Sequence, residues 1–221
     1  MQLPKLAVFD MDGLLFDSER VLMEENAQVM AEHGYTQEFS DYVRTIGTAG
    51  DTFFNTLYEI YGDDYPAAEV AGESSRRCVE RLLTEGVPVK EGIPELLDFF
   101  RERGVPCCVA TSTKRPSAEA MLEKAGVRDA FSYVVTSDDV SRSKPDPEIF
   151  LLACEKNGTS PTEACVFEDS QNGVLAAYRA GIPVICIPDL KQPEPFYAEK
   201  AMKVVRSALD VPPLFGLHLN E

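Results

Sequence analysis

The chain contains no apolar run approaching the roughly 18 residues that a membrane-crossing helix needs, and no internal repeat or low-complexity tract interrupts its 221 residues. A membrane-spanning protein is therefore not expected. No C-x-x-C pair occurs among the six cysteines, Cys78, Cys107, Cys108, Cys154, Cys165 and Cys186, and two of them are adjacent. That spacing suits neither a zinc site nor a disulfide framework. Most of these cysteines lie in apolar stretches, where cysteine acts as a small hydrophobe. The opening MQLPKLAVFDMDG passes from one short apolar stretch straight into acids, without the apolar segment and small-residue cleavage site of a secretory signal. The glycosylation pattern at Asn157-Gly158-Thr159 is accordingly read as chance, and a reduced, cytoplasmic setting is expected. Basic residues are also scarce: 21 Lys and Arg stand against 37 Asp and Glu, for a net charge of −16. Nucleic acid is thus not an expected partner. Nothing in the chain demands a second copy, so a monomer is expected.

What is present is a strand-and-helix alternation. Apolar runs rich in Val, Ile, Phe and Cys occur at Leu6–Asp10, Val105–Thr111, Tyr133–Thr136, Ala164–Glu168 and Pro183–Ile187. Without polar alternation, they read as parallel strands buried on both faces. Helical patterns fall between them at Gly92–Arg103, Pro116–Ala125, Pro147–Lys156 and Gln171–Ala180, with Pro near several starts and Gly after the ends. This predicts an α/β protein with a Rossmann-like, doubly wound parallel sheet. One stretch departs from the pattern. Between about Phe16 and Gly86 only helical patterns appear, at Ser18–His33, Asp51–Tyr61 and Pro66–Glu85. The expected organisation is a core of residues 1–15 and 87–221 with an inserted helical cap at 16–86.

Ligands of open α/β sheets bind at the carboxyl ends of the strands. Four such ends are polar here: Asp10-Met11-Asp12-Gly13, Thr111-Ser112-Thr113-Lys114, Glu168-Asp169-Ser170 and, opening a helix after the third strand, Ser143-Lys144-Pro145-Asp146. Asp10 and Asp169, with Glu168, make an oxygen-rich set suited to Mg²⁺. Lys144 adds positive charge, and the Thr111 hydroxyl with backbone N–H groups near Ser112 can hold phosphoryl oxygens. A carboxylate can attack phosphorus, and Asp12 lies close enough in sequence to protonate a leaving oxygen and later activate water. Each element alone has a plainer reading. Asp-x-Asp-Gly is often a turn, a single lysine is usually solvated, and Glu168 or Asp169 can simply open the next helix. Only their joint occurrence at four strand ends points to a site. His33, before Gly34, suits a helix end, and His218 reads as solvated.

In the order and spacing of these elements the chain resembles the haloacid dehalogenase superfamily. Asp10–Asp17 (DMDGLLFD) is similar to its first motif, and Thr111, Lys144 and Glu168-Asp169 are similar to its second, third and fourth. Ser143–Phe150 and Val166–Gly173 resemble the β-phosphoglucomutase-like branch. The resemblance implies that Asp10 is nucleophile and metal ligand, and that Asp12 is the acid/base, with its carbonyl on the metal. It further implies that Glu168 and Asp169 serve the metal, and that Thr111, Ser112 and Lys144 bind phosphate.

Departures narrow the activity. Dehalogenases of the superfamily lack the second aspartate, present here as Asp12, and phosphonatases carry a small residue there. Mutases of the branch hold the far phosphate with a cap arginine, and the corresponding loop, residues 46–51, has none. Arg44, Arg76 or Arg77 are the candidates to replace it. The expectation is a Mg²⁺-dependent phosphatase acting on a small phosphorylated metabolite, a sugar or nucleoside phosphate, through an aspartyl-phosphate. A sugar-phosphate mutase and a non-catalytic metabolite-binding protein are the alternatives.

Overall fold

The computed structural model describes residues 1–48 and 50–216 and divides into two compact units, one of Met1–Asp17 with the chain from Val87 onward, the other of Ser18–Gly86. The first unit contains six strands, β1 (Leu6–Phe9), β2 (Cys107–Ala110), β3 (Val134–Val135), β4 (Ala164–Glu168), β5 (Val184–Cys186) and β6 (Lys203–Val204). They form one sheet in the order β3-β2-β1-β4-β5-β6, and every pairing is parallel. The direction of strand progression reverses at β1, which lies between β2 and β4. Such a reversal opens a crevice at the strands' carboxyl ends.

The second unit is helical: α1 (Ser18–Glu32), α2 (Phe39–Thr45), α3 (Gly50–Tyr61) and α4 (Ala67–Glu85). Its buried centre is Val29, Met30, Leu57, Tyr65, Ala67 and Val70. Arg77 pairs with Glu32 at 2.7 Å, and Arg81 with Glu24 and Glu25 at 2.8 and 3.0 Å, tying α4 to α1. Glu25 is buried, whereas the pairs to Glu32 and Glu24 reach solvent and contribute roughly 0–1 kcal/mol each. The short α2 was not expected from the sequence. Its seven residues bury only Tyr42 and Thr45 and have no side-chain cap, so neither a periodic stripe nor a start signal marks it.

Around the sheet lie α5 (Ile93–Glu102), α6 (Arg115–Lys124), α7 (Glu148–Asn157), α8 (Gln171–Arg179) and α9 (Pro195–Ala198). The alternation of β1 explains why both faces must be covered. Phe9 stacks on Phe167 at 4.8 Å and meets Phe100 of α5 at 6.2 Å and Phe131 at 5.9 Å. Leu6 and Val8 join a separate cluster with Ile149, Phe150 and Ala153 of α7 and Val174 and Ala177 of α8. Burying each large side chain contributes about 1.5–3 kcal/mol, and a polar residue at any of the four β1 positions forfeits it. The sequence pattern missed β6 and α9. Both residues of β6 are exposed, so no apolar run announces it, and α9 is a single turn. Among the described residues no helix is long and apolar enough to cross a membrane, and all six cysteines are buried thiols.

Candidate active site

Strand register brings the polar ends together. Phe9 stands opposite Val109 on one side and Phe167 on the other, so the next residues, Asp10, Ala110 and Glu168, fall at one level. Asp10 N–H donates to the Phe167 carbonyl at 3.0 Å, and Thr111 N–H donates to Val135 at 3.0 Å, extending the ladder just past the strands. Lys144 reaches this level from the loop before α7. Its ammonium donates to Glu168 Oε1 at 2.8 Å, to the Ala110 carbonyl at 3.1 Å and to Asp10 Oδ1, and it lies 4.8 Å from the centre of the Phe150 ring.

Asp10, Lys144 and Glu168 are all buried, which makes the balance of charge decisive. Desolvation pushes the Asp10 carboxyl up to about 7. Lys144 opposes that rise, while Glu168 and Asp12 reinforce it. Burial alone would depress the Lys144 ammonium, but Asp10 and Glu168 together outweigh it and hold its pKa above the ordinary lysine value. One lysine thus faces more carboxylate than it can neutralise, the situation that a hard cation relieves.

The donor set fits such a cation. One oxygen from each of Asp10, Glu168 and Asp169 lies within 4.8 Å of the others, and all-carboxylate oxygen ligation suits Mg²⁺. Two glycines make room for two of these carboxylates. Gly13 has φ +79°, and a Cβ there would stand 2.3 Å from Asp169 Oδ2. A Cβ at Gly173 would stand 1.7 Å from Glu168 Oε1. Glu168 is also held from behind: Ser170 N–H and Oγ–H donate to its Oε2 at 2.9 and 3.0 Å, while Ser170 Oγ accepts from Gly173 N–H as the cap of α8. Asp12 is fixed separately, its Oδ2 accepting from the Thr113 hydroxyl at 2.6 Å. Thr111 is buried and its Oγ1 accepts from Thr113 N–H at 3.0 Å, whereas Ser112 is exposed.

Two residues of this region escaped the sequence reading. Lys90 donates to the Gly13 carbonyl at 2.8 Å and to Asp189 Oδ1 at 2.7 Å. It thereby ties the turn after β1 to the loop after β5, across 99 positions of chain. Asp189 Oδ2 is buried without a hydrogen-bond partner. Only the Pro-Asp at the end of the fifth apolar run could have flagged Asp189, and nothing distinguishes Lys90 from a surface lysine. In the helical unit, each arginine considered for a second phosphate is already bonded to carboxylate: Arg44 to Glu59 at 3.2 Å, Arg76 to Glu73 and Glu80 at 2.8 Å, and Arg77 to Glu32 and Glu73 at 2.7 Å. Of the other positions singled out in the sequence, Ala49 and His218 lie outside the described residues.

A parallel sheet with its acids, threonine and lysine gathered at the switch point defines a class, and residues 4–181 match the profile of the haloacid dehalogenase-like hydrolases. The chain belongs to that family and is an enzyme of the phosphatase class. It is 35% identical over 181 residues to validoxylamine A 7'-phosphate phosphatase of Streptomyces hygroscopicus subsp. limoneus, covering 80% of this chain and 83% of the relative. Phosphorylated carbohydrates phosphatase of Thermotoga maritima is 32% identical over 178 residues, covering 79% and 81%. Among solved structures, CbbY from Rhodobacter sphaeroides in complex with phosphate superposes with a TM-score of 0.75 at 27% identity, covering 93% of this chain and 95% of that one.

Proposed function

We propose that this chain is a Mg²⁺-dependent phosphatase of small phosphate monoesters, sugar or nucleoside phosphates, working through an aspartyl-phosphate on Asp10. The observation that carries the reading is the buried grouping of Asp10, Glu168 and Asp169, with Lys144 bonded to the first two and Asp12 held by Thr113. Asp10, Glu168 and Asp169, with the carbonyl of Asp12, would hold the ion. When bound, Mg²⁺ supplies the charge neutralisation that lets an anionic ester approach an acidic site.

The chain's own groups divide the remaining work. Lys144 and the Thr111 hydroxyl hold phosphoryl oxygens, helped by the backbone at Ser112. Asp10 attacks phosphorus, the bond from phosphorus to the ester oxygen breaks, and Asp12 gives that oxygen its proton. Asp12, now a carboxylate, takes a proton from water as the water attacks phosphorus and frees Asp10. Phosphoryl transfer depends chiefly on positioning and charge neutralisation, which the two constraining glycines and the Ser170 and Thr113 hydrogen bonds serve. Residues 16–86 act as the cap that selects the organic part of the substrate. The carboxylate pairing of Arg44, Arg76 and Arg77 favours hydrolysis over mutase chemistry, which needs a cation for a second phosphate. The reading carries with it a monomeric, cytoplasmic enzyme acting on a free metabolite.

Phosphate release from a panel of sugar phosphates and nucleotides, with and without Mg²⁺, tests it. Mg²⁺-dependent release, lost by at least about 10³-fold in Asp10→Asn, is the expected result. Unchanged release by that variant refutes the assignment of the nucleophile.

A further inference from the structure

Lys90 and Asp189, both in the core unit, are not among the groups that carry the phosphoryl transfer, yet their bonds converge on the loop that bears Asp12. The backbone of Lys90 is pinned to that loop. Its N–H donates to the Leu15 carbonyl at 2.9 Å, Asp17 N–H donates to the Pro88 carbonyl at 3.0 Å, and Phe16 and Val89 form an antiparallel bridge. The side chain then returns to the same loop, where its ammonium donates to the Gly13 carbonyl at 2.8 Å. Asp189 Oδ1, 2.7 Å from that ammonium, fixes it from the loop after β5. The side chains of Lys90 and Asp189 are 21% and 6% exposed, so water competes little for either bond.

Stability alone does not explain this arrangement. A buried ion pair is commonly no more stabilising than apolar side chains of the same volume. This one also leaves Asp189 Oδ2 buried without a hydrogen-bond partner, a cost that calls for a compensating role. The contact with Gly13 supplies one. Gly13 directly follows Asp12, and it is the residue whose Cβ would stand 2.3 Å from Asp169 Oδ2. Around it the loop is closed by Leu15 and Phe16 N–H, which donate to the Met11 carbonyl at 2.9 and 3.1 Å, and by Gly13 N–H, which donates to the Phe16 carbonyl at 3.0 Å. The Gly13 carbonyl is instead taken by Lys90, across 77 positions of chain. Glycine resists backbone rotation least of all residues. The bond from Lys90 therefore keeps the peptide after Gly13 from swinging and moving Asp12 relative to Asp10 and Asp169.

We propose that Lys90, anchored by Asp189, is a positioning residue that holds the Asp12–Gly13 turn in the orientation that lets Asp12 give its proton to the ester oxygen. The proposal rests on the phosphatase reading above. Its test uses the full chain carrying Lys90→Met and Asp189→Leu together, which removes the pair without stranding a buried charge. With Mg²⁺, kcat/KM is measured on p-nitrophenyl phosphate, whose leaving group needs no proton, and on the best alkyl phosphate among sugar phosphates and nucleotides, whose leaving group does. The alkyl ester should lose about 10–100-fold, and at least about tenfold more than p-nitrophenyl phosphate. Because the two esters are compared within one variant, partial loss of folded protein cancels. In EDTA, hydrogen exchange followed by mass spectrometry should be about tenfold or more faster in segment 11–16 and unchanged in β2 and β4. Equal losses on the two esters, native rates on both, native exchange in segment 11–16, or faster exchange throughout the sheet each overturn the proposal and leave the phosphatase reading standing. So does a native chain that hydrolyses p-nitrophenyl phosphate and no alkyl ester. Phosphate release from none of these compounds overturns both.

Discussion

Replacing Asp10 by Asn should stabilise the metal-free protein at neutral pH while removing its activity. Folded, the Asp10 carboxyl binds its proton near pH 7, whereas its ordinary value is 3.8. Between those values the folded state holds a proton that the unfolded state has released. The contribution of Asp10 to stability is therefore greatest at acid pH and declines as pH rises through that window. At 1.36 kcal/mol per pKa unit, the interval from 3.8 to about 7 corresponds to a penalty on the charged form on the order of 4 kcal/mol. Asparagine keeps the shape and carries no charge, and Lys144 retains Glu168 as its partner. Thermal denaturation of both proteins in EDTA from pH 5 to 8 reads the difference. The gap should already be open at pH 5 and widen through pH 7, with the variant melting roughly 5–15 °C higher by pH 8. Excess Mg²⁺ should close or reverse the gap, since it stabilises the protein that binds it better. A difference that stays flat across this pH range would refute the argument that buried, mutually repelling carboxylates are what a cation relieves here.

Gly13→Ala places a methyl group 2.3 Å from Asp169 Oδ2 at a φ of +79°, so activity titrated against Mg²⁺ should show a need for about 10–100-fold more metal; an unshifted titration would mean that Asp169 is not held there for the metal. Lys90→Met strips the partner from the largely buried Asp189 and should cost about 3 kcal/mol in urea denaturation. Adding Asp189→Leu should recover most of that loss, and an equally unstable double variant would show that the charge pair is not the cause. Thiol reagents at pH 8 should label the native chain far more slowly than the denatured one, because all six cysteines are buried and burial pushes Cys107, Cys108, Cys165 and Cys186 up to about 12. Prompt labelling of a native thiol would contradict that burial.

Much of this protein could be read from its one-dimensional pattern because the relevant forces are local or periodic. Strands buried on both faces, such as Leu6–Phe9 and Ala164–Glu168, must be apolar at every position, and acids just beyond them stand out against that background. The polar strand ends that carry Asp10, Asp12, Thr111, Glu168 and Asp169 were legible for that reason. Elements with little to bury gave no such signal: α2 buries only Tyr42 and Thr45, both residues of β6 are exposed, and α9 is a single turn. The ion pair of Lys90 with Asp189 spans 99 positions and exists only because the sheet order brings the ends of β1 and β5 near each other. The same holds for what Gly13 and Gly173 do. Sequence marks a permissive turn at Gly13, but the carboxylate occupying the space where each side chain would be is known only from the fold.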